Sequence, residues 1–211
     1  TPRPAPRSKR EAVRVSQLPF TRPTLYRPEF EHDNCGFGLI AHMDGQPSHW
    51  LLDTAISALA RLTHRGAVAA DGKSGDGCGL LIKPPLAFLR KVAEAQGLTL
   101  ASDFAAGCVF LSHDPATAAT ARATLEEALA HYQVPAAGWR DVPVDRSACG
   151  EQALATLPAI NQVFVNRPDT MEEPEFERRL FMARRRAEKA LDGSDEAFYV
   201  PSLSARVLSY K

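Results

Sequence analysis

The stretch Asp33-Asn34-Cys35-Gly36-Phe37-Gly38-Leu39-Ile40-Ala41-His42 places a cysteine between two turn-forming residues and an apolar, strand-like segment. Its glycines leave the backbone beside the thiol uncrowded, so reactants can reach the sulfur from several directions. The dense apolar residues from Gly36 to Met43 predict a buried strand. A plainer interpretation is that Cys35 is only a small buried hydrophobic residue at a strand start.

No side chain close in sequence is an obvious base for this thiol. His32 and His42 lie before the strand start or seven residues along it. A cysteine that becomes the first residue of a mature chain carries its own base, because an α-amine titrates at about pH 7.7 to 8.0 and can accept the thiol proton. The base is therefore either elsewhere in the fold or this α-amine, and the second arrangement, an N-terminal nucleophile, requires that the chain be cut before Cys35.

Composition narrows the class of protein. A chain of 211 residues can bury one substantial core, so we expect one domain with a leading arm. Its 25 basic and 25 acidic residues cancel, which leaves no long-range field to attract nucleic acid or an anionic membrane. The cysteines at 35, 78, 108 and 149 lack zinc-ligand spacing, and no run approaches a membrane span. Unpaired thiols favour a reducing cytoplasm, and no structural metal is expected.

The first 28 residues are rich in proline and carry a cluster of basic side chains. Such a segment resists regular structure. Three interpretations stay open for the leader: a flexible arm, an organelle transit peptide, or a propeptide that is removed before Cys35. A transit peptide requires an amphipathic, serine-rich helix, which the prolines oppose.

Hydrophobic spacing predicts four helices and six short strands. The helices are expected at residues 49–63, 84–95, 114–132 and 172–191, and the strands at 36–43, 78–82, 107–112, 139–144, 160–165 and 198–210. Pro143 assigns strand 139–144 to a sheet edge, because proline cannot donate to a central ladder. Alternating helices and strands fit a layered arrangement, but the pattern does not order the strands.

Other stretches carry candidate functional residues. Arg65 follows the first helix, where a guanidinium can hold a carboxylate or complement the helix dipole. Gly72-Lys73-Ser74 suggests a phosphate cradle but lacks the first glycine of a P-loop and precedes a strand. Asp76 is either a turn cap or a site residue, and Cys149 is expected to be an inert loop residue. The basic run 184–186 complements the last helix's dipole rather than binding nucleic acid.

Four stretches together resemble the class II glutamine amidotransferase domain of glutamate synthases: residues 35–42, 60–67, 75–81 and 202–211. The resemblance implies an α+β fold, the four-layer αββα sandwich of the N-terminal nucleophile hydrolases, in incomplete form. It implies that residues 1–34 are a propeptide and that 35–211 are the N-terminal part of the amidotransferase domain. Cys35 would be the catalytic nucleophile, and Arg65 and Gly36 would bind substrate or organise the site.

The reaction implied by the resemblance is glutamine hydrolysis. The Cys35 thiolate attacks the side-chain amide of L-glutamine, ammonia leaves, and water releases glutamate from the thioester. In the whole family enzyme, ammonia passes to a synthase site that converts 2-oxoglutarate to glutamate with FMN and an iron–sulfur cluster. This chain itself is expected to hold no cofactor. Its implied partners are L-glutamine, the remaining synthase domains and a small electron-donating subunit, with no nucleic acid and no membrane.

Two motifs of that family do not occur within residues 1–211: a His-Ser-Arg-Phe-like stretch that holds glutamine and a His-Asn-Gly-Glu-like stretch that forms the oxyanion hole. Losing one oxyanion donor typically costs a factor of about 10² to 10³ in rate, so we expect these residues alone to be nearly inactive. One alternative is a non-catalytic assembly or regulatory domain of the same fold. Another is a different class II amidotransferase, such as an asparagine synthetase or a phosphoribosyl amidotransferase, which stretches 63–67 and 75–77 disfavour.

Overall fold

A computed structural model describes residues 36–62, 68–75 and 77–210 of the chain. In chain order the elements are α1 (His49–Ala60), β1 (Leu80–Ile82), α2 (Leu86–Glu94), β2 (Phe104–Leu111), α3 (Pro115–His131), β3 (Ala136–Asp141), a 3₁₀ turn (Arg146–Ala148), α4 (Glu151–Thr156), β4 (Ala159–Asn166), α5 (Glu173–Leu191), β5 (Tyr199–Ser204) and β6 (Leu208–Tyr210). The chain divides between Leu39 and Ile40 into two units, and all of these elements belong to the second.

Four strands form the larger sheet, in the order β3-β4-β2-β5, and every neighbouring pair is antiparallel. The central strands β2 and β4 pair from Phe104 opposite Asn166 to Leu111 opposite Ala159. Both strands are mostly buried. Strands β1 and β6 pair separately as a two-stranded antiparallel sheet. The fold is therefore α+β, with two antiparallel sheets.

Helices α3 and α5 cover one face of the larger sheet. Their apolar stripes meet alternate side chains of β2 and β4 in one core cluster. The buried residues of the two stripes are Ala121, Leu125, Ala128 and Leu129 on α3, and Phe176, Leu180, Ala183, Ala187 and Leu191 on α5. Burying one such leucine or phenylalanine contributes about 1.5 to 3 kcal/mol, so this layer holds the main core.

The opposite face of the larger sheet carries a second apolar cluster. Phe104, Ala106 and Phe164 point to this side and pack with Leu89 of α2 and Leu208 of β6. The two-stranded sheet and α2 therefore lie against the face that α3 and α5 leave open. The described residues thus stack a helix layer, a four-stranded sheet and a two-stranded sheet.

The predicted helices are all present, and the buried residues of α5 recur at helical spacing. Asp114 caps α3 as expected, because its carboxylate accepts a hydrogen bond from the Thr117 amide at 2.8 Å. Strand β3 lies at the sheet edge, which confirms the inference from Pro143. Helix α1 has no fully buried residue, and its Ile56 is 50 % exposed.

Two strand predictions are wrong. Residues 36–43 are not a buried strand: the backbone is irregular, and Phe37 and Met43 are 94 % and 97 % exposed. Among the described residues no strand pairs with this segment, and an apolar run without a ladder partner is not held in a sheet. Residues 198–210 form two strands rather than one, because a turn after Ser204 takes the chain from the larger sheet to the smaller.

No helix within the part of the chain that the structure describes is both long and apolar enough to cross a membrane. The longest, α5, has 19 residues but carries an exposed face rich in arginine and glutamate. Several of these charges pair along the helix, as Arg184 and Arg185 do with Glu188. The basic run is therefore a solvated, ion-paired face.

Candidate functional site

The predicted nucleophile Cys35 and the predicted substrate-binding Arg65 lie outside the described residues, as does Asp76. Gly36 is described and lies in irregular, exposed backbone. The roles of Cys35, Arg65 and Gly36 therefore stay predictions. The structure does describe the loop of residues 68–75, which lies in sequence between the positions of Arg65 and Asp76.

This 68–75 loop closes on itself as a tight reversal. Val68 and Gly75 form an antiparallel β-bridge, and the Ala69 amide donates to the Ser74 carbonyl at 2.7 Å. Gly72 adopts φ +71°, a left-handed conformation that glycine tolerates without steric cost. The backbone therefore enters and leaves the loop side by side.

Asp71 occupies the centre of the loop as an acceptor of several hydrogen bonds. Its Oδ1 accepts from the Lys73 and Ser74 amides at 2.9 and 2.7 Å, and its Oδ2 accepts from the Ser74 hydroxyl at 2.5 Å. These bonds, the Ser74 hydroxyl first, hold the pKa of the Asp71 carboxyl well below its ordinary value. The amides of Lys73 and Ser74 are thus occupied, which argues against the phosphate-cradle interpretation of this stretch.

The loop is also fastened to α4, far along the chain. The Gln152 amide donates to Asp71 Oδ2 at 3.3 Å, and the Ala153 amide donates to Ser74 Oγ at 3.1 Å. A Cβ on Gly150 would come within 2.7 Å of the Ser74 amide nitrogen and would also collide with the Asp71 carboxylate. Only glycine at position 150 allows the loop and the helix to approach this closely.

Sequence reasoning missed this joint and the short helix α4. The prediction places Cys149 in a loop between strands 139–144 and 160–165, yet the 3₁₀ turn and α4 lie on either side of it. The spacing of Asp71 and Ser74 is a local capping signal that was available in the sequence. The contact between this loop and α4 could not be read from the sequence, because no local pattern links residues about eighty positions apart.

The described cysteines differ in environment. Cys108 is buried on β2, and burial raises the pKa of its thiol to about 11, so that it stays protonated at neutral pH. Cys78 is exposed and lines an open pocket of about 540 Å³ together with Tyr199 and Ser209. Cys149 is half-buried, as its position beside α4 requires. None of the three is disulfide-bonded.

A second cavity, of about 520 Å³, lies beside β1 and the start of α5. Two ion pairs line it, Arg167 with Asp103 and Arg206 with Glu173. In each pair the carboxylate raises the pKa of the arginine, so both guanidinium groups stay charged and matched. The charges of these four side chains therefore cancel in pairs. None of the four offers an uncompensated positive charge to a small anion.

Within residues 36–62, 68–75 and 77–210 no three or more His, Cys, Asp or Glu side chains are placed together to hold a metal ion. An iron–sulfur cluster takes several cysteine thiolates as ligands. The described thiols do not form such a set, since Cys108 is buried in the core and Cys78 is exposed. These residues do not fit that cofactor.

An α+β core of antiparallel sheets, preceded by a Cys-Gly pair, agrees with the family that residues 35–211 match: class-II glutamine amidotransferases. The chain belongs to this family. It is similar to the glutamate synthase [NADPH] large chains of Azospirillum brasilense and Bacillus subtilis, at 38 % and 36 % identity over 94 % and 89 % of this chain. It is also similar to ferredoxin-dependent glutamate synthase 2 of Synechocystis, at 36 % identity over 98 % of this chain. The chain spans only 12–13 % of the length of these relatives.

Proposed function

We propose that this chain supplies the glutamine-hydrolysing part of a glutamate synthase, with Cys35 as nucleophile. The observation that carries the proposal is the family match, which covers residues 35–211 and so begins at the cysteine. The relatives that span most of this chain are glutamate synthases by name.

In the proposed reaction the α-amine of Cys35 takes the thiol proton, and the thiolate attacks the side-chain carbonyl of L-glutamine. The carbon–nitrogen bond breaks as the α-ammonium gives the proton to the amide nitrogen, so ammonia leaves and a thioester joins the glutamyl group to the sulfur. Water then attacks the thioester, which releases glutamate and restores the thiol. While residues 1–34 are attached, the nitrogen of Cys35 is an amide and cannot act as the base, so we infer that they are a propeptide.

Arg65 and Gly36 are the proposed supporting residues. A guanidinium offers several donors in a planar fork that matches a carboxylate, so Arg65 is suited to bind glutamine or to hold the site together. Gly36 leaves the backbone next to the nucleophile without a side chain. We place both in a four-layer αββα sandwich of the N-terminal nucleophile hydrolase type, of which residues 35–211 would be the first part.

For the parent enzyme we propose the glutamate synthase reaction, in which the released ammonia converts 2-oxoglutarate to glutamate during nitrogen assimilation. FMN, an iron–sulfur cluster and a small electron-donating subunit would belong to the remaining synthase domains. The names of the relatives include both NADPH and ferredoxin enzymes, so either reductant fits. A cytoplasmic location is supported by three free cysteines among the described residues.

The glutaminase proposal is tested by purifying the full-length polypeptide, determining its N-terminal residue and treating it with a diazo-ketone analogue of glutamine. A mature chain that begins at Cys35 and is alkylated there supports the enzyme. An uncleaved, unreactive chain instead supports a scaffold of the same fold. Residues 1–211 expressed alone should show almost no turnover, because neither family motif for glutamine binding and the oxyanion hole occurs in them.

A further inference from the structure

The 68–75 loop is locked to α4 by groups to which the proposed reaction gives no role. Asp71 and Ser74 together accept hydrogen bonds from the Gln152 and Ala153 amides, and both are also bonded to each other. Ser74 is 6 % exposed, so its bond from the Ala153 amide is shielded from competing water, whereas the bond from the Gln152 amide to Asp71 lies nearer the surface. The loop therefore has one defined position on the body of the fold.

The ends of the locked loop are continuous with predicted site residues. Arg65 precedes Val68 by three positions, and Asp76 directly follows Gly75. The bridge between Val68 and Gly75 ties these two ends together. The loop at Asp71 thus adjoins both Arg65 and Asp76 in sequence.

We propose that Asp71 is a positioning residue for glutamine hydrolysis, which acts by fixing the loop between Arg65 and Asp76 against α4. This inference rests on the proposed function, because it requires that Arg65 serve the glutamine site. Asp71 is given no part in the bond-making and bond-breaking steps. Its effect is to keep the loop in the orientation that glutamine binding needs.

Asp114 offers a matched comparison within the same chain. Like Asp71, it accepts hydrogen bonds from the amide and the hydroxyl of the residue three positions later, here Thr117. Its carboxyl pKa is lowered for the same kind of reason, the Thr117 hydroxyl first. Asp114, however, caps its own helix α3, whereas Asp71 joins two distant parts of the chain. A comparison of variants at the two positions therefore separates the effect of losing a local helix cap from the effect of losing the link between the loop and α4.

The test compares Asp71→Asn with Asp114→Asn in the full-length polypeptide, using steady-state glutaminase kinetics. Because Arg65 is proposed to bind glutamine, displacing the loop that adjoins it should weaken substrate binding, which raises KM while kcat changes little. We expect Asp71→Asn to raise the KM for glutamine about tenfold or more, with kcat within about threefold. Asp114→Asn should leave both constants within about twofold. A wild-type KM for Asp71→Asn, or equal KM increases in the two variants, would overturn the positioning role.

Two further variants keep the test decisive. If Asp71→Asn does not accumulate as folded protein, Ser74→Ala removes the acceptor for the Ala153 amide and should raise KM in the same way. A wild-type KM for Ser74→Ala then overturns the inference. Cys35→Ala separates the two proposals: glutaminase activity that survives it contradicts the proposed function. Activity that disappears, alongside a wild-type KM for Asp71→Asn, contradicts only the role of Asp71.

Discussion

The carboxylate of Glu177 accepts hydrogen bonds from the Ser204 hydroxyl at 2.9 Å and from the Ala205 amide at 2.7 Å. Glu177 lies on α5, whereas Ser204 ends β5 and Ala205 begins the turn to β6. Helix α5 thus fixes the place where the chain leaves the four-stranded sheet. This contact is the physical reason that residues 198–210 form two strands rather than the single predicted strand.

We predict that Glu177→Ala lowers the free energy of unfolding by about 1 to 2 kcal/mol, because two turn donors lose a charged acceptor. Urea unfolding followed by circular dichroism measures the loss. The control is Glu127→Ala, an exposed glutamate of α3, which should change stability by less than about 0.5 kcal/mol. Equal stability of the two variants would contradict the assigned role of Glu177.

The two faces of α5 allow a comparison of the same residue type. Phe176 is fully buried beneath the larger sheet, whereas Phe181 is 60 % exposed. Phe176→Ala should cost about 3 to 5 kcal/mol, since it removes apolar contacts and leaves a cavity. Phe181→Ala should cost much less. Similar midpoints in chemical unfolding for both variants would mean that α5 does not pack as described.

The Asp71 hydrogen bonds should make stability depend on pH. These hydrogen bonds lower the pKa of the Asp71 carboxyl in the folded state below its value of about 3.9 in the unfolded state. The folded state therefore binds this proton less readily, and the stabilisation is complete above pH about 4 and is lost as pH falls further. The stability gap between the wild type and Asp71→Asn should shrink below pH about 4. A gap that stays constant from pH 7 to pH 2 in denaturant titrations would contradict this linkage.

Thiol reactivity should follow exposure and pKa. Cys78 is exposed and should alkylate with iodoacetamide at pH 8 in the folded protein. Cys108 should remain unmodified, because it is buried and its pKa is raised to about 11. Peptide mass spectrometry before and after unfolding distinguishes the two. Modification of Cys108 at the rate of Cys78 in the folded protein would show that the β2 core is open.

The parts of the fold that could be predicted are those whose information is local. The stripe from Phe176 to Leu191 lies within one helix, and a 3.6-residue period is enough to identify it. The split after Ser204 and the joint between Asp71 and α4 depend on partners far away in sequence. Residues 36–43 show the reverse problem, because an apolar run predicts a strand even where no described strand pairs with it.

For the candidate site, the sequence predicts the types of chemical group but not how they are arranged in space. The cysteine next to a glycine indicated a nucleophile, and the arginine after the first predicted helix indicated a group that can hold a carboxylate. The family resemblance supplied the roles of these residues. The joint between the 68–75 loop and α4 could not be predicted, because Gly150 matters only through its close approach to Asp71 and Ser74. Helix α4 is six residues long, which is too short for a periodic signal.

The central claim is that Cys35 acquires a free α-amine and then opens the amide of glutamine. The most direct measurement is the mass of the N-terminal peptide of the full-length protein from its native source, after reaction with the diazo-ketone analogue. We predict a peptide that begins at Cys35, with a free amine and the analogue on its sulfur. An active glutaminase that retains residues 1–34, or that carries the analogue on another residue, would contradict the account.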